Sequence, residues 1–181
     1  MQAKKLKQIQ KNIRKNWGKV TPFKLIPKKH FNCYMFAVCC TMPTEILTRT
    51  GTYISTIDES VTYFGSIGQF SGTKYKTREQ YKIAWLNDLK VLGIHAEECS
   101  EDFIPTEDTI KVAFYSNFEE GMSKSEEQFH FFRYVPSKRR WMGKGGFPGG
   151  FQKNPRDCHI NRINVTEQKR LGIFKLRLIQ E

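Results

Sequence analysis

The chain has 181 residues, 39% hydrophobic and 13% aromatic with 14 Phe, which is enough for one domain with a real core, too little for two large ones, and incompatible with wholesale disorder. No apolar run approaches the ~20 residues of a membrane-spanning helix, and the basic start MQAKKLKQIQ lacks the apolar stretch that would make it a secretory signal. The formal charge of +12 is unevenly spread: residues 1–29 hold ten Lys or Arg and no acidic residue, leaving 20 basic against 18 acidic residues beyond them.

Residues 4–17 read as a basic amphipathic helix, with Leu6, Ile9, Ile13 and Trp17 recurring at intervals of three and four. Such an arm, taken as residues 1–20, packs its apolar stripe on the domain or grips an anion. Lys4, Lys5, Lys7, Lys11, Arg14 and Lys15 are then the candidate contacts to nucleic acid, an anionic membrane or an acidic protein. The remaining residues, 21–181, form the domain proper.

KLIPKK (24–29) reads as an extended lead-in because of Pro27. The compact apolar run that follows predicts a buried helix from Cys33 to Cys40 with Asn32 as its N-cap, a short strand being the competing assignment. Residues 51–75, rich in Gly, Ser, Thr and Tyr, fit turns with short irregular strands. Thr77 to Leu92 is a clear helix: Thr77 and Gln80 form a capping box, Tyr81, Ala84, Trp85, Leu89 and Leu92 line one face, and Gly93 supplies the stop. An acidic loop spans 97–108. Alternation predicts strands over 110–116 and 127–135, a Gly-rich loop over 139–151, and a last strand near 170–179. Helices first and antiparallel strands later mean α+β.

The five Cys, an odd number with an adjacent pair at Cys39–Cys40, suggest free thiols in a reducing compartment and hence an intracellular protein. Of these thiols, Cys33 would open a buried helix, where unpaired backbone N–H groups favour a thiolate. Cys39 and Cys40 lie further along that helix, Cys99 sits in an acidic stretch, and Cys158 follows the Gly-rich loop. His30, His95, His130 and His159 are the candidate bases. His130 shares a strand face with Gln128, Phe132 and Tyr134, and Asn154 or Asp157 is the candidate to orient its ring. The bland alternatives are a buried inert thiol and a histidine on a half-buried sheet face. His30 with Cys33 and Cys158 with His159 carry zinc-type ligands, but the spacing of the second pair is poor, and neither a metal nor a cofactor is expected. The Gly-rich loop with Lys144 is not a P-loop.

These residues resemble the papain-like thiol hydrolases, and more closely a set of small bacterial and phage proteins of that superfamily. A motif N-C-Y-x-(Y/F)-A is matched by Asn32-Cys33-Tyr34-Met35-Phe36-Ala37, and a helix end D-L-x-x-L-G by Asp88-Leu89-Lys90-Val91-Leu92-Gly93. A strand like F-H-F-Y-R is matched by Phe129-His130-Phe131-Phe132-Arg133, and W-x-x-K-x-G by Trp141-Met142-Gly143-Lys144-Gly145-Gly146. The matches keep their order from residue 32 to about 157. The resemblance implies a papain-like domain with Cys33 at the N-terminus of a central helix packed on an antiparallel sheet. It also implies His130 on the sheet and Asn154, or alternatively Asp157, as third residue. The oxyanion would rest on the backbone N–H of Cys33 and the Asn32 amide. Two departures stand out: Met142-Gly143 replaces a frequent Ser-His, and Pro27-Lys28 stands where papain has its oxyanion Gln. The expected function is cysteine-dependent hydrolysis or acyl transfer at the amide of a peptide or protein substrate, in a bacterial host cytoplasm or a phage particle. The alternative is a non-catalytic basic binding protein of phage or mobile-element origin that contacts nucleic acid or a host protein.

Overall fold

The alternating segments of the C-terminal half come together in one six-stranded antiparallel sheet. In a computed structural model, which describes residues 3–24, 32–42, 67–122, 129–144, 151–153 and 169–180, the strands are β1 (Ile94–Glu98), β2 (Thr109–Ser116), β3 (Phe129–Val135), β4 (Arg140–Lys144), β5 (Phe151–Lys153) and β6 (Lys169–Leu178). Their order is β1-β6-β2-β3-β4-β5, so the last strand inserts between the first two. The helices are α1 (Ala3–Asn16), α2 (Thr21–Lys24), α3 (Cys33–Ala37) and α4 (Arg78–Val91). The class is α+β, as the order of elements implied.

Side chains alternate across a strand, so each strand feeds two faces. Ile110, Val112 and Phe114 of β2 and Phe131 and Val135 of β3 enter a large core with α1, α3 and α4. Ala113, Tyr115, Phe132, Trp141 and Ile173 form a smaller buried cluster on the other face. The large core is aromatic at its centre: the Trp85 ring meets Phe114 at 4.9 Å, Phe131 at 5.2 Å and Phe174 at 4.9 Å between centroids. Offset and edge contacts of this kind add stabilisation beyond the area they bury.

Helix α4 forms where its caps and stripe place it. Thr77 accepts the Gln80 N–H at 3.2 Å, while the Gln80 side chain accepts the N–H of Lys76 at 2.8 Å. Gly93 ends the helix in the left-handed conformation at φ +77°, which any Cβ would strain.

Helix α1 packs its apolar stripe on the domain. Ile9 and Ile13 are buried in the same core as Trp85, Gln10 donates to the Val91 carbonyl at 2.8 Å, and the Trp17 indole donates to the Asp108 carbonyl at 3.0 Å. Residues 3–20 and the sheet therefore share one core.

Three local expectations change. The helix opening at Cys33 runs five residues, not eight, because Val38 leaves helical geometry and Cys39 takes a left-handed φ of 59°. The stretch 139–151 is not a plain loop: β4 occupies its beginning and β5 starts at its end, paired to each other through Met142, Gly143 and Lys144. Strand β1 pairs with β6 along its whole length, including Glu97 and Glu98, which the acidic composition had assigned to a loop. Tertiary pairing overrides composition in both sheet segments.

Candidate functional site

Asn32 has extended backbone angles, and its side chain accepts the Met35 N–H at 3.0 Å, making it the N-cap of α3 as expected. Cys33 follows as the first helical residue and is buried, with 4% of its surface exposed. Its sulfur lies 3.9 Å from the carbonyl oxygen of Phe129, at the start of β3. Helix α3 thus packs directly on the strand that carries His130.

Tyr34 is held by a second element. Its hydroxyl donates to Asp88 Oδ2 at 3.3 Å, and the same carboxylate accepts the N–H groups of Gly68 at 2.8 Å and Ser71 at 2.7 Å. Asp88 is fully buried on the inner face of α4. Burial pushes its carboxyl above the ordinary value, and the hydrogen bonds from the 68–71 turn pull only part of that back. Burial, and then Asp88 itself, push the Tyr34 phenol well up. This carboxylate ties α4, the 67–71 turn and the residue after Cys33 together.

At the C-terminal end of Cys33's helix, Arg133 is buried with 1% exposure. Its guanidinium donates to the carbonyls of Phe36 at 3.2 Å and Lys19 at 2.7 Å, touches Cys39 Sγ at 2.9 Å and lies 4.3 Å from the Phe36 ring centroid. A cation is favoured at the C-terminal end of a helix, where carbonyls point outward. Burial raises the Cys39 thiol above its ordinary value, and Arg133 offsets that only in part; burial pushes Cys40 up to about 12. Cys99, half-buried, is also raised by burial, with Lys111 and Lys175 opposing. Cys33, Cys39, Cys40 and Cys99 are all free thiols.

His130 follows the strand's alternation to the other face. Its ring sits against Phe132, 4.3 Å between centroids, and Nε2 lies 2.7 Å from where a Cβ on Gly143 would stand. Gly143 pairs directly with Phe132, so the missing side chain at 143 makes the slot that the imidazole fills. Cys33 belongs to the large core. The structure sets the Cys33 sulfur against the Phe129 carbonyl on the large-core face, while the His130 ring lies with Phe132 on the other face. Lys111 shares the imidazole's face, buried, with its ammonium 5.6 Å from the Tyr134 ring and 5.4 Å from the Trp141 ring, donating to the Glu101 carbonyl.

Asn154, Asp157, His30, Cys158 and His159 lie outside the described residues. Of the arm's cations, Lys4, Lys7, Lys11 and Lys15 are exposed, and Lys5 and Arg14 are half-buried. No helix among the described residues is long and apolar enough to cross a membrane. Asp88, Arg133 and Lys111 were not singled out from sequence as site residues, although each left a signal: a charged residue inside a periodic apolar face. Asp88 falls between Trp85 and Leu89 on the inner stripe of α4, and Arg133 between Phe131 and Val135 on the inner face of β3. No family model, curated protein or solved structure matches the chain.

Proposed function

We propose that the chain is a cysteine-dependent amide hydrolase or acyl transferase of papain-like type, with Cys33 as nucleophile. The observation that carries this reading is the placement of Cys33: first residue of a buried, Asn32-capped helix, with its sulfur at the start of the strand that bears His130. Backbone N–H groups of a first helical turn have no partner within the helix and suit an oxyanion. In the reaction, the thiol proton passes to the His130 imidazole and the sulfur attacks the amide carbonyl. The amine leaves with that proton, and water or an acceptor amine cleaves the thioester. This chemistry requires the imidazole to leave its slot at Gly143 and turn around the start of β3 toward α3. The start of β3 is paired with β2, Phe129 with Ser116 and His130 with Tyr115, so that turn must open this end of the ladder. Asn154 or Asp157 remains the proposed orienting group.

A second reading, a non-catalytic basic binding protein, is favoured by the opposite facing of thiol and imidazole. One experiment separates the two. Iodoacetamide at pH 6 labels a thiolate paired with an imidazolium far faster than an ordinary thiol, whose pKa is ~8.5. The hydrolase reading expects Cys33 to label before Cys39, Cys40, Cys99 and Cys158, and His130→Ala to slow it at least tenfold. Labelling of Cys33 only on unfolding, indifferent to His130→Ala, would overturn it.

A further inference from the structure

Charge is sorted between the two ends of the sheet. At the end where β1 finishes and β3 begins, cations are answered: Arg78 pairs with Glu119 at 3.3 Å, Lys82 with Glu98 at 3.0 Å, and Arg170 with Glu101. The register rows Ile94↔Leu178, Thr109↔Arg177 and Val135↔Arg140 define the other end. The C-terminal half of α1 lies across it, fixed by the Trp17 indole on Asp108 and by Arg133 on the Lys19 carbonyl. Lys11, Lys15 and Lys19 are exposed there, and so are Lys138, Arg139 and Arg140 of the β3–β4 turn. Among the described residues, Lys11, Lys15, Arg139 and Arg140 take part in none of the ion pairs. Glu107 and Asp108 are the acidic residues that the start of β2 adds.

From this we infer that the α1 C-terminal half and the β3–β4 turn form one composite surface for the phosphate backbone of nucleic acid. Three observations choose this occupant. The apolar stripe that an interfacial helix would insert into lipid is already buried, Ile9 at 2% and Ile13 at 0% exposure, so α1 has only its charge to offer. Lys7, Lys11 and Lys15 recur every four residues, about 6 Å along the helix, as a row facing a polyanion requires. Arg139 holds a left-handed φ of 47° in a turn where glycine or asparagine would be unstrained. Retained strain of that kind, at a charged side chain on an exposed tip, points to a contact made by the side chain. The inference rests on the basic-binding part of the second reading and names its partner and surface; a catalytic Cys33 does not preclude it.

The test is fluorescence anisotropy of the full chain with a labelled DNA duplex of mixed sequence over a salt series. Phosphatidylserine vesicles and polyglutamate serve as competing anions. Binding should weaken linearly in log–log salt, and the pairs Lys11→Ala/Lys15→Ala and Arg139→Ala/Arg140→Ala should each flatten the slope by about 2. Both pairs are exposed, and unchanged thermal unfolding confirms their fold. Absence of duplex binding at low salt overturns the inference, as does tighter binding to vesicles or polyglutamate. An Arg139→Ala/Arg140→Ala variant that binds like wild type while the lysine pair weakens it also overturns it, leaving α1 as an isolated contact. If only this surface fails, Cys33 labelling at pH 6 is unaltered; if only the thiol reading fails, Cys33→Ala binds the duplex as wild type does and the salt slope stays.

Discussion

The two faces of the sheet are made from the same strands, yet they handle polar groups differently. On the face covered by α1, α3 and α4, the buried carboxylate of Asp88 and the buried guanidinium of Arg133 are each enclosed by several hydrogen-bonding groups from different elements. On the other face, His130 and Lys111 lie against the rings of Phe132, Tyr134 and Trp141. The first arrangement fixes the position of the helix that Cys33 opens. The second sets two titratable groups among aromatic edges and faces, with Lys111 also donating to the Glu101 carbonyl. Strand β3 does the sorting: Arg133 goes to one side and His130 to the other because they are an odd number of residues apart.

The largest effect expected from breaking this comparison is at Asp88. Asp88→Ala leaves the Gly68 and Ser71 N–H groups and the Tyr34 hydroxyl without their acceptor, and each buried unsatisfied group costs about 1–3 kcal/mol. A loss of about 3–5 kcal/mol is expected in denaturant unfolding. Asp88→Asn keeps the shape and one carbonyl oxygen and should cost less. The pH dependence has a definite sign. The folded carboxyl is raised above the ordinary 3.8, so the folded state holds the extra proton just above that value. Its stabilising contribution is complete below 3.8 and is lost as pH rises through the folded value. Asp88→Asn should remove that fall. A variant as stable as wild type, with an unchanged acid profile, would show that the turn at 67–71 does not depend on the carboxylate.

Gly143 offers an intermediate effect and sharpens the comparison at the imidazole. A Cβ there meets His130 Nε2 at 2.7 Å and Phe132 carbons at 2.9 Å. Gly143→Ala must therefore move the ring and should cost about 1–3 kcal/mol, as overpacking does. If the displaced imidazole turns toward α3, Cys33 labelling at pH 6 rises in this variant, and the rise disappears when His130→Ala is added. Lost stability with unaltered labelling would mean that the ring never serves the thiol.

Much of this was legible in the sequence. The capping box at Thr77, the stop at Gly93 and the cap at Asn32 appear where short-range rules place them, because each depends on residues within one turn. The face on which His130 sits follows from alternation alone. What alternation cannot say is which face the helix opening at Cys33 will cover, since that is decided by packing against α4 and β3 far away in sequence. The same limit explains β4 and β5. Glycine-rich segments lack strand propensity, and their pairing is set by partners already in place, Phe132 opposite Gly143 among them. The basic arm was readable as amphipathic, with packing of its stripe on the domain as one of two readings; choosing between them required knowing that Thr41 and Val91 would meet it.

The smallest expected effect is at Lys111, and it contrasts the two environments directly. Burial holds the Lys111 ammonium below the ordinary lysine value of 10.5. Lys82, on α4 at the paired end of the sheet, is raised above it, chiefly by its hydrogen bond to Glu98. The signs are opposite. Below 10.5 but above the folded value of Lys111, the unfolded chain holds more protons, so that group makes stability rise with pH across the window. For Lys82, the folded chain holds more protons above 10.5, and its contribution is lost as pH rises through the raised value. Lys111→Met keeps the unbranched stem that packs on Tyr134 and Trp141 while removing the charge. Urea midpoints for this variant should therefore be flatter across the window below 10.5 than those of wild type, and Lys82→Met should leave that window unchanged. A Lys111→Met protein that follows the wild-type slope would mean the ammonium reaches water freely, and the aromatic face would then be no more enclosed than the surface.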